Sequence, residues 1–518
     1  MATEMPFDPP GPGVWFLTRE HFGAPVCRLL FEIFPETTRG WQTGGSTYGY
    51  PVGEAAWGLA NHWIYYSPGT PADPGTFAAL EVAATETLAT KRWRAEVQRW
   101  QQVERPAVIA TNLELQAVDL TALDDDGLAT YFRRALDHYQ SVAQLHFSHS
   151  GFDVAGGLLF EATSAWGIPY RDVVQLLSGA SHASRETARR LAAIASALAD
   201  GGADEPASLD DVRAVSAAAA ALDDYLEHYG WRVYGNDMTE PTLREQPGVV
   251  VESIRAQMRQ GAAPAPEPDV AAVRAHVPAD ERARFDELLE DARLCYQLRD
   301  DDVGITWAWP LGMIRRAVLE IGRRLEQAGR VKAAVDVFEA EVAEILALVA
   351  GGGPAAEELA ERAASRAAAY DTDPPTQLGE PLPPEPASHM PPAVKRLADA
   401  RAALWSGPPP PTDRLRGTGI GMGTARGRAC VLDTPDGIAD LRPGDVIVAS
   451  MTTAGHNALF PMAVAVATAV GGPFSHSAIL AREFDLPAVV GAAGLLEEVR
   501  HGDTVEVDAD AGEVRVIR

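Results

Sequence analysis

The sequence predicts a multidomain protein, with a large, mostly α-helical domain over residues 1–370, a Pro-rich linker with a short helix over 371–412, and a small β/α domain over 413–518. Three observations carry this. Apolar residues recur at spacings of three and four through much of the first 370 positions. Two proline clusters, DTDPPTQLGEPLPPEPASHMPP and SGPPPPT, then break the pattern, because proline fixes φ and removes a backbone donor. After Asp413, short β-branched runs alternate with Gly, Pro and Asp turns.

The elements follow in order. Residues 1–70 are mixed and aromatic, rich in Gly and Pro. A helix is predicted over 75–105, ending in RWRAEVQRWQQ. Another covers 124–150, whose acidic first turn suits the positive end of the helix dipole. Ala-rich helices follow over 184–200 and 209–229, and the same style continues over 279–299 and 311–349. A short helix, AVKRLADARAALW, lies between the proline clusters. In the last domain RACVLD, DVIVAS, VAVATAV, AVVG, DTVEVDAD and EVRVIR read as strands.

Composition narrows the function. The formal net charge of −28 argues against nucleic acid as a partner, since phosphate contacts need clustered Lys and Arg. Lysine occurs three times, at Lys91, Lys332 and Lys395, so cationic work falls to arginine. Cys27, Cys295 and Cys430 are scattered, which suggests neither a zinc site nor a disulfide framework. With no signal peptide and no membrane-spanning apolar run, the expectation is a cytoplasmic protein with no membrane partner.

Four segments then carry a resemblance: GTGIGMGTARGRACVL (417–432), LRPGDVIVASMTTAGHNALFPM (441–462), GGPFSHSAILAREFDLPAVVG (471–491) and GDTVEVDADAGEV (502–514). In this order and spacing they resemble the mobile, swivelling phosphohistidine domain of phosphoenolpyruvate-utilising enzymes. The stretches 15–34, 228–247 and 298–329 resemble the substrate-binding domain of the rifampicin phosphotransferase branch. The resemblance implies that His476 is the phosphorylated residue. Where the family commonly has Thr-Ser-His-Ala, this chain has Phe474-Ser475-His476-Ser477. Neither the family's ATP-grasp module nor its phosphoenolpyruvate-binding barrel is legible in residues 1–370, and there is no GxxxxGK[ST] loop.

The residues around His476 suit that role. An imidazole can act as nucleophile, base or acid near neutral pH. Gly471 and Gly472 allow the backbone to approach a phosphoryl group, and Ser475 can cap the helix that follows or bind a phosphate oxygen. That helix start places N–H groups beside the histidine. Arg482 could pair with phosphate or with Glu483, and Asn457 could brace its loop or reach the site. His456 reads as exposed.

In the helical domain, Arg232, Arg299, Arg315 and Arg316 are candidates for an anionic group, against the plainer reading of ion pairs within a helical bundle. Arg323 and Arg324 read as solvated. His146 and His149 share one helical face and suit substrate contact or general acid–base work; a metal would need two more ligands, and no metal centre is predicted. Asp300, Asp301 and Asp302 could hold Mg²⁺ but read as a solvated acidic loop. Trp41, Tyr48, Trp63, Tyr65, Trp307 and Trp309 could line an apolar pocket, with core packing as the alternative.

The function expected is a phosphotransferase-type enzyme or subunit. His476 would carry a phosphoryl group to a hydroxyl of a small organic molecule. No cofactor bound by this chain is evident; ATP would act through an ATP-grasp partner protein, with Mg²⁺ left open. One alternative is a dehydratase using His476 as acid–base or through transient phosphorylation. The other is a non-catalytic phosphohistidine carrier.

Overall fold

The computed structural model describes residues 7–19, 21–53, 55–68, 74–260, 267–380, 390–405, 407, 413–433 and 437–517. Several helices fall where the apolar periodicity puts them. The expected 209–229 run, however, divides into Leu209–Arg213 and Ser216–Tyr229, and the expected 311–349 run divides into Trp309–Gln327, a 3₁₀ turn Ala334–Glu339 and Val342–Val349. Helices Gly151–Ala165, Pro247–Gln260 and Ala356–Ala369 add to those expected. The segment expected as one helix over 75–105 divides at Lys91, a left-handed residue with φ +51°, into Phe77–Thr90 and Arg92–Arg99. A π-helical turn, Trp100–Glu104, leads into Arg105–Gln116. The long helix Asp125–Ser148 starts at Asp124, whose side chain accepts from the Gly127 N–H at 2.8 Å. A second π-turn, Gly304–Ala308, joins Leu298–Val303 to Trp309–Gln327. π-Turns aim side chains that a regular helix would place elsewhere.

An antiparallel sheet flanks the N-terminal side, in the order Ala56–Ala60, Trp63–Ser67, Trp15–Leu17, Gln377–Leu378. Its last strand comes from the Pro-rich segment 371–412. The helix of that segment, Pro392–Trp405, buries Val394, Leu397, Ala400 and Leu404 completely. It lies so close to helix Gly151–Ala165 that a Cβ on Gly157 would stand 2.3 Å from the Ala400 carbonyl oxygen. Both pieces are therefore anchored on the helical domain. Parts of the segment (381–389, 406 and 408–412) lie outside the described residues.

The C-terminal domain is a seven-stranded mixed sheet. Its order is Glu513–Ile517, Thr504–Asp508, Thr424–Val431, Asp445–Ala449, Ala463–Thr468, Ala488–Val490, Thr418–Ile420. The strands from Thr424 to Val490 pair in parallel. One face carries a core of Ala429, Val446, Val448, Val489 and Val505. The other face continues into the helical domain: Cys430, Ile447, Leu459, Phe460 and Leu480 form one apolar cluster with Leu191, Tyr225 and Ile254 of the Ala-rich helices. The two domains are thus docked, with His476 facing inward.

Candidate functional site

The loop before His476 is shaped by its glycines. Gly471 has φ +128°, a conformation that L side chains rarely adopt, and a Cβ there would come within 2.9 Å of Ser475 Oγ. A Cβ on Gly472 would meet nothing within 4 Å, so this glycine leaves open space in front of the loop. Ser475 caps helix His476–Glu483, its hydroxyl accepting from the Ala478 N–H. His476 is the first helical residue and sits edge-on to Phe460. Ser477 and Thr452 share a buried hydroxyl–hydroxyl hydrogen bond of 2.8 Å.

Phe474 is an anchor. It is buried against Phe152 (5.5 Å between ring centroids), Phe160 (5.6 Å), Trp405 (5.9 Å) and Tyr170 (6.5 Å). All four belong to the helical side, so this ring ties the histidine loop to its docking surface.

Together the domains enclose a cavity of about 1010 Å³. Gly471, Gly472, Ser475 and His476 line it on one side. On the other, Phe34, Trp41, Phe147 and Trp307 form an aromatic wall of mostly edge-to-face rings. Trp307 reaches it from the Gly304–Ala308 π-turn.

Next to that wall lies a buried ionic cluster. Asp302 is fully enclosed and divides its carboxylate between two rings: His146 Nδ1 donates to Oδ1 at 3.0 Å, and His149 Nδ1 donates to Oδ2 at 2.8 Å. His149 Nε2 lies 3.6 Å from Glu104 Oε2, a carboxylate supplied by the Trp100–Glu104 π-turn. Burial alone would lower the pKa of His149, but its hydrogen bond to Asp302, the Glu104 carboxylate beside it and the charges of Asp302 and Glu96 raise it to about 10. Burial likewise opposes the charge on Asp302, yet His146 and His149 hold it well below the usual carboxylate range. Asp302, expected in a solvated acidic loop, is instead the hub of the cluster. The side chains of Arg299, Asp300 and Asp301 lie outside the described residues.

One arginine among the described lining residues faces the cavity, Arg401 from helix Pro392–Trp405. Its guanidinium stacks 3.9 Å from the Tyr50 ring centroid and stands 3.4 Å from Asp153. The other arginine candidates are engaged elsewhere. Arg315 grips Glu245 through two hydrogen bonds and donates to the carbonyls of Met238 and Thr239. Arg316 donates to the Gln116 and Val118 carbonyls over Trp231. Arg232 stacks on Tyr229 and donates to the His228 carbonyl. Arg323 and Arg324 both bind Glu320.

Within the C-terminal domain, Arg482 is buried behind the cavity and donates to Tyr296 Oη at 2.6 Å. Glu483 instead accepts from the N–H groups of Gly179 and Ser181. Asn457 is buried in the turn Ala454–Ala458, outside the lining. His456 is buried, not exposed. Desolvation, with the neighbouring His476 adding to it, pushes its pKa down to about 3, while its Nδ1 accepts from the Thr453 N–H. Of the six aromatic candidates, Trp41 and Trp307 line the cavity. Trp63, Tyr65 and Trp309 hydrogen-bond Thr372, the Pro375 carbonyl and Gln116 in the body of the protein, and Tyr48 is buried beside Glu96.

Residues 441–512 match the family described as PEP-utilising enzyme, mobile domain, and residues 155–301 match the rifampicin phosphotransferase fourth domain. Two segments of the chain are thus similar to modules found in phosphoenolpyruvate-utilising enzymes and rifampicin phosphotransferases. An uncharacterised protein of Mycobacterium tuberculosis is 34% identical over 285 residues, 54% of this chain and 29% of that protein. Rifampicin phosphotransferase of Streptomyces sviceus is 26% identical over 346 residues, 61% of this chain and 37% of the enzyme. The prodigiosin synthesizing transferase PigC of Serratia marcescens is 29% identical over 220 residues, 41% of this chain and 22% of the transferase. The chain thus spans little more than a third, at most, of these relatives' lengths. The segment similar to the mobile domain is docked on the helical part of the chain. No helix among the described residues is long and apolar enough to cross a membrane.

Proposed function

We propose that this chain is the carrier and acceptor-binding part of a phosphotransferase. His476 takes a phosphoryl group at a donor site outside these two domains, on an ATP-grasp domain or partner using ATP and Mg²⁺. It delivers the group to a hydroxyl of a small, largely apolar or aromatic molecule held in the cavity. The observation that carries this reading is that His476 opens onto the same 1010 Å³ cavity as the aromatic wall and Arg401. A phosphoryl group transferred there meets a cation suited to its developing charge. The similarity to a rifampicin phosphotransferase and a prodigiosin synthesizing transferase supports group transfer to an organic acceptor.

Lys91 pairs with Glu287, Lys395 with Asp399 and Lys332 stands near Glu357, so none of the three lysines serves this cavity. That supports a donor site elsewhere. A cavity of this size also weighs against a carrier that merely binds partners.

The test is intact-protein mass spectrometry after incubation with ATP, Mg²⁺ and a candidate ATP-grasp partner. One phosphoryl adduct is expected on the wild type and none on His476→Ala. If His476 is never modified by any donor, the reading fails. Turnover of a hydroxylated substrate without nucleotide would favour the dehydratase instead.

A further inference from the structure

We infer that His146 is the general base that takes the proton from the acceptor hydroxyl, with Asp302 fixing its tautomer and His149 serving as a fixed cation that positions Asp302. This rests on the phosphotransferase reading and assigns different jobs to two histidines that the sequence could not tell apart.

The hydrogen bonds settle the division. Asp302 is a carboxylate and can only accept, so both histidines present Nδ1–H to it. For His146, whose side chain is about a quarter exposed, this leaves Nε2 as the lone-pair atom of the neutral ring. His149 has carboxylates on both sides, Asp302 at Nδ1 and Glu104 near Nε2, and is buried against Trp100. A ring between two carboxylates keeps both protons and is of no use as a base. Its charge offsets that of Asp302 and holds the second carboxylate oxygen, so the first oxygen stays aimed at His146. The same logic orients a catalytic histidine wherever a buried carboxylate holds its distal N–H. His146 and His476 line one cavity, on opposite modules.

The transfer then balances. The phosphohistidine carries a proton on its other ring nitrogen. As the acceptor oxygen forms its bond to phosphorus, the P–N bond breaks, and its electron pair stays with the nitrogen, releasing neutral His476. The hydroxyl proton passes to His146 Nε2, giving an imidazolium paired with Asp302 that later loses the proton to solvent. The charged and titratable groups facing His146 are Asp302 on helix Leu298–Val303, His149, which caps the end of the His146 helix in an extended conformation and so does not share its helical face, Glu104 and Glu96 behind His149, and His21, Asp153, Arg401 and His476 around the cavity.

Two measurements test this. Potassium phosphoramidate, a small-molecule phosphoryl donor, charges His476 without a partner protein. Wild type and His146→Gln should gain the same adduct, lost in His476→Ala. Decay of the adduct, in water and with 2-naphthylmethanol added, should be at least tenfold slower in His146→Gln, and the variant should lack the rise of rate with pH expected of the wild type. Decay within twofold of wild type in both solvents overturns the inference. The second measurement needs no phosphoryl group: ¹⁵N-histidine NMR of the unmodified protein at pH 8 should show His146 as the Nδ1–H tautomer and His149 doubly protonated. The Nε2–H tautomer at His146 overturns the inference whatever becomes of His476, whereas failure to charge His476 counts against the phosphotransferase reading alone.

Discussion

Replacing Phe474 by alanine should unfasten the mobile domain without unfolding it. Truncating a buried phenylalanine costs about 3–5 kcal/mol. Here all four ring partners, Phe152, Phe160, Tyr170 and Trp405, lie on the helical side, while the backbone that carries Phe474 belongs to the C-terminal domain. The loss therefore falls on the contact between domains and not on either core. At about 1.4 kcal/mol per tenfold, the lower bound of ~3 kcal/mol raises the opened population of this contact roughly 150-fold. Hydrogen exchange read by mass spectrometry is the assay. Amides of Tyr170–Gln175 and of the loop 470–475 should exchange about a hundredfold faster, while those of strand Asp445–Ala449, buried at every position, stay protected. An equal rise throughout both domains, or no rise at the contact, would refute the reasoning.

Other predictions concern the cavity and its supports. Arg401→Gln should leave charging of His476 by phosphoramidate intact and slow transfer to an acceptor by at least tenfold, with partial recovery in Arg401→Lys; unchanged transfer kinetics would remove Arg401 from the phosphoryl path. The raised pKa of His149 contributes stability that is fully present below the unfolded value near 6.5 and lost as pH rises through about 10. Thermal melts should therefore fall in Tm between those limits, and His149→Gln should flatten that slope; a parallel slope in the variant would show that other groups dominate. Gly157→Ala places a methyl 2.3 Å from the Ala400 oxygen and should cost about 1–3 kcal/mol by pushing helix Pro392–Trp405 outward, seen as a lower Tm and weaker acceptor binding. Gly471→Ala forces a side chain into φ +128° and should cost about 1–3 kcal/mol and slow charging of His476.

Much of this architecture was legible in the sequence because it rests on local signals. Apolar periodicity marks the helices, and turn residues between β-branched runs mark the C-terminal sheet. The loop and capped helix start around His476 were legible because glycines, cap and histidine are contiguous. What stayed hidden depends on tertiary placement. Asp302 sits in a run of three acids, and only the fold shows that one turns inward between two histidines. His456 looked exposed because its loop gives no sign that the domain above covers it. Arg401 lies in a short helix between proline clusters, which reads as a spacer until its apolar face is seen on helix Gly151–Ala165. The departure at Phe474 has a physical reason: the ring fills an aromatic socket on the opposite module. Arg315 shows the converse, a plausible anion binder whose fork is spent on Glu245.

Helix Pro392–Trp405 has a mechanical consequence. The chain that leaves its last residue is the one that leads to the mobile domain, and Trp405, half exposed, touches Phe474 at the helix end. The wall of the cavity and the mooring of the C-terminal domain are thus one piece of helix. If the domain leaves its docking surface, as the proposed function requires, the pull on the tether is applied within one turn of Arg401 and reaches the cavity directly. Fluorescence of Trp405, quenched or shifted as its contact with Phe474 parts, gives a built-in gauge of each excursion.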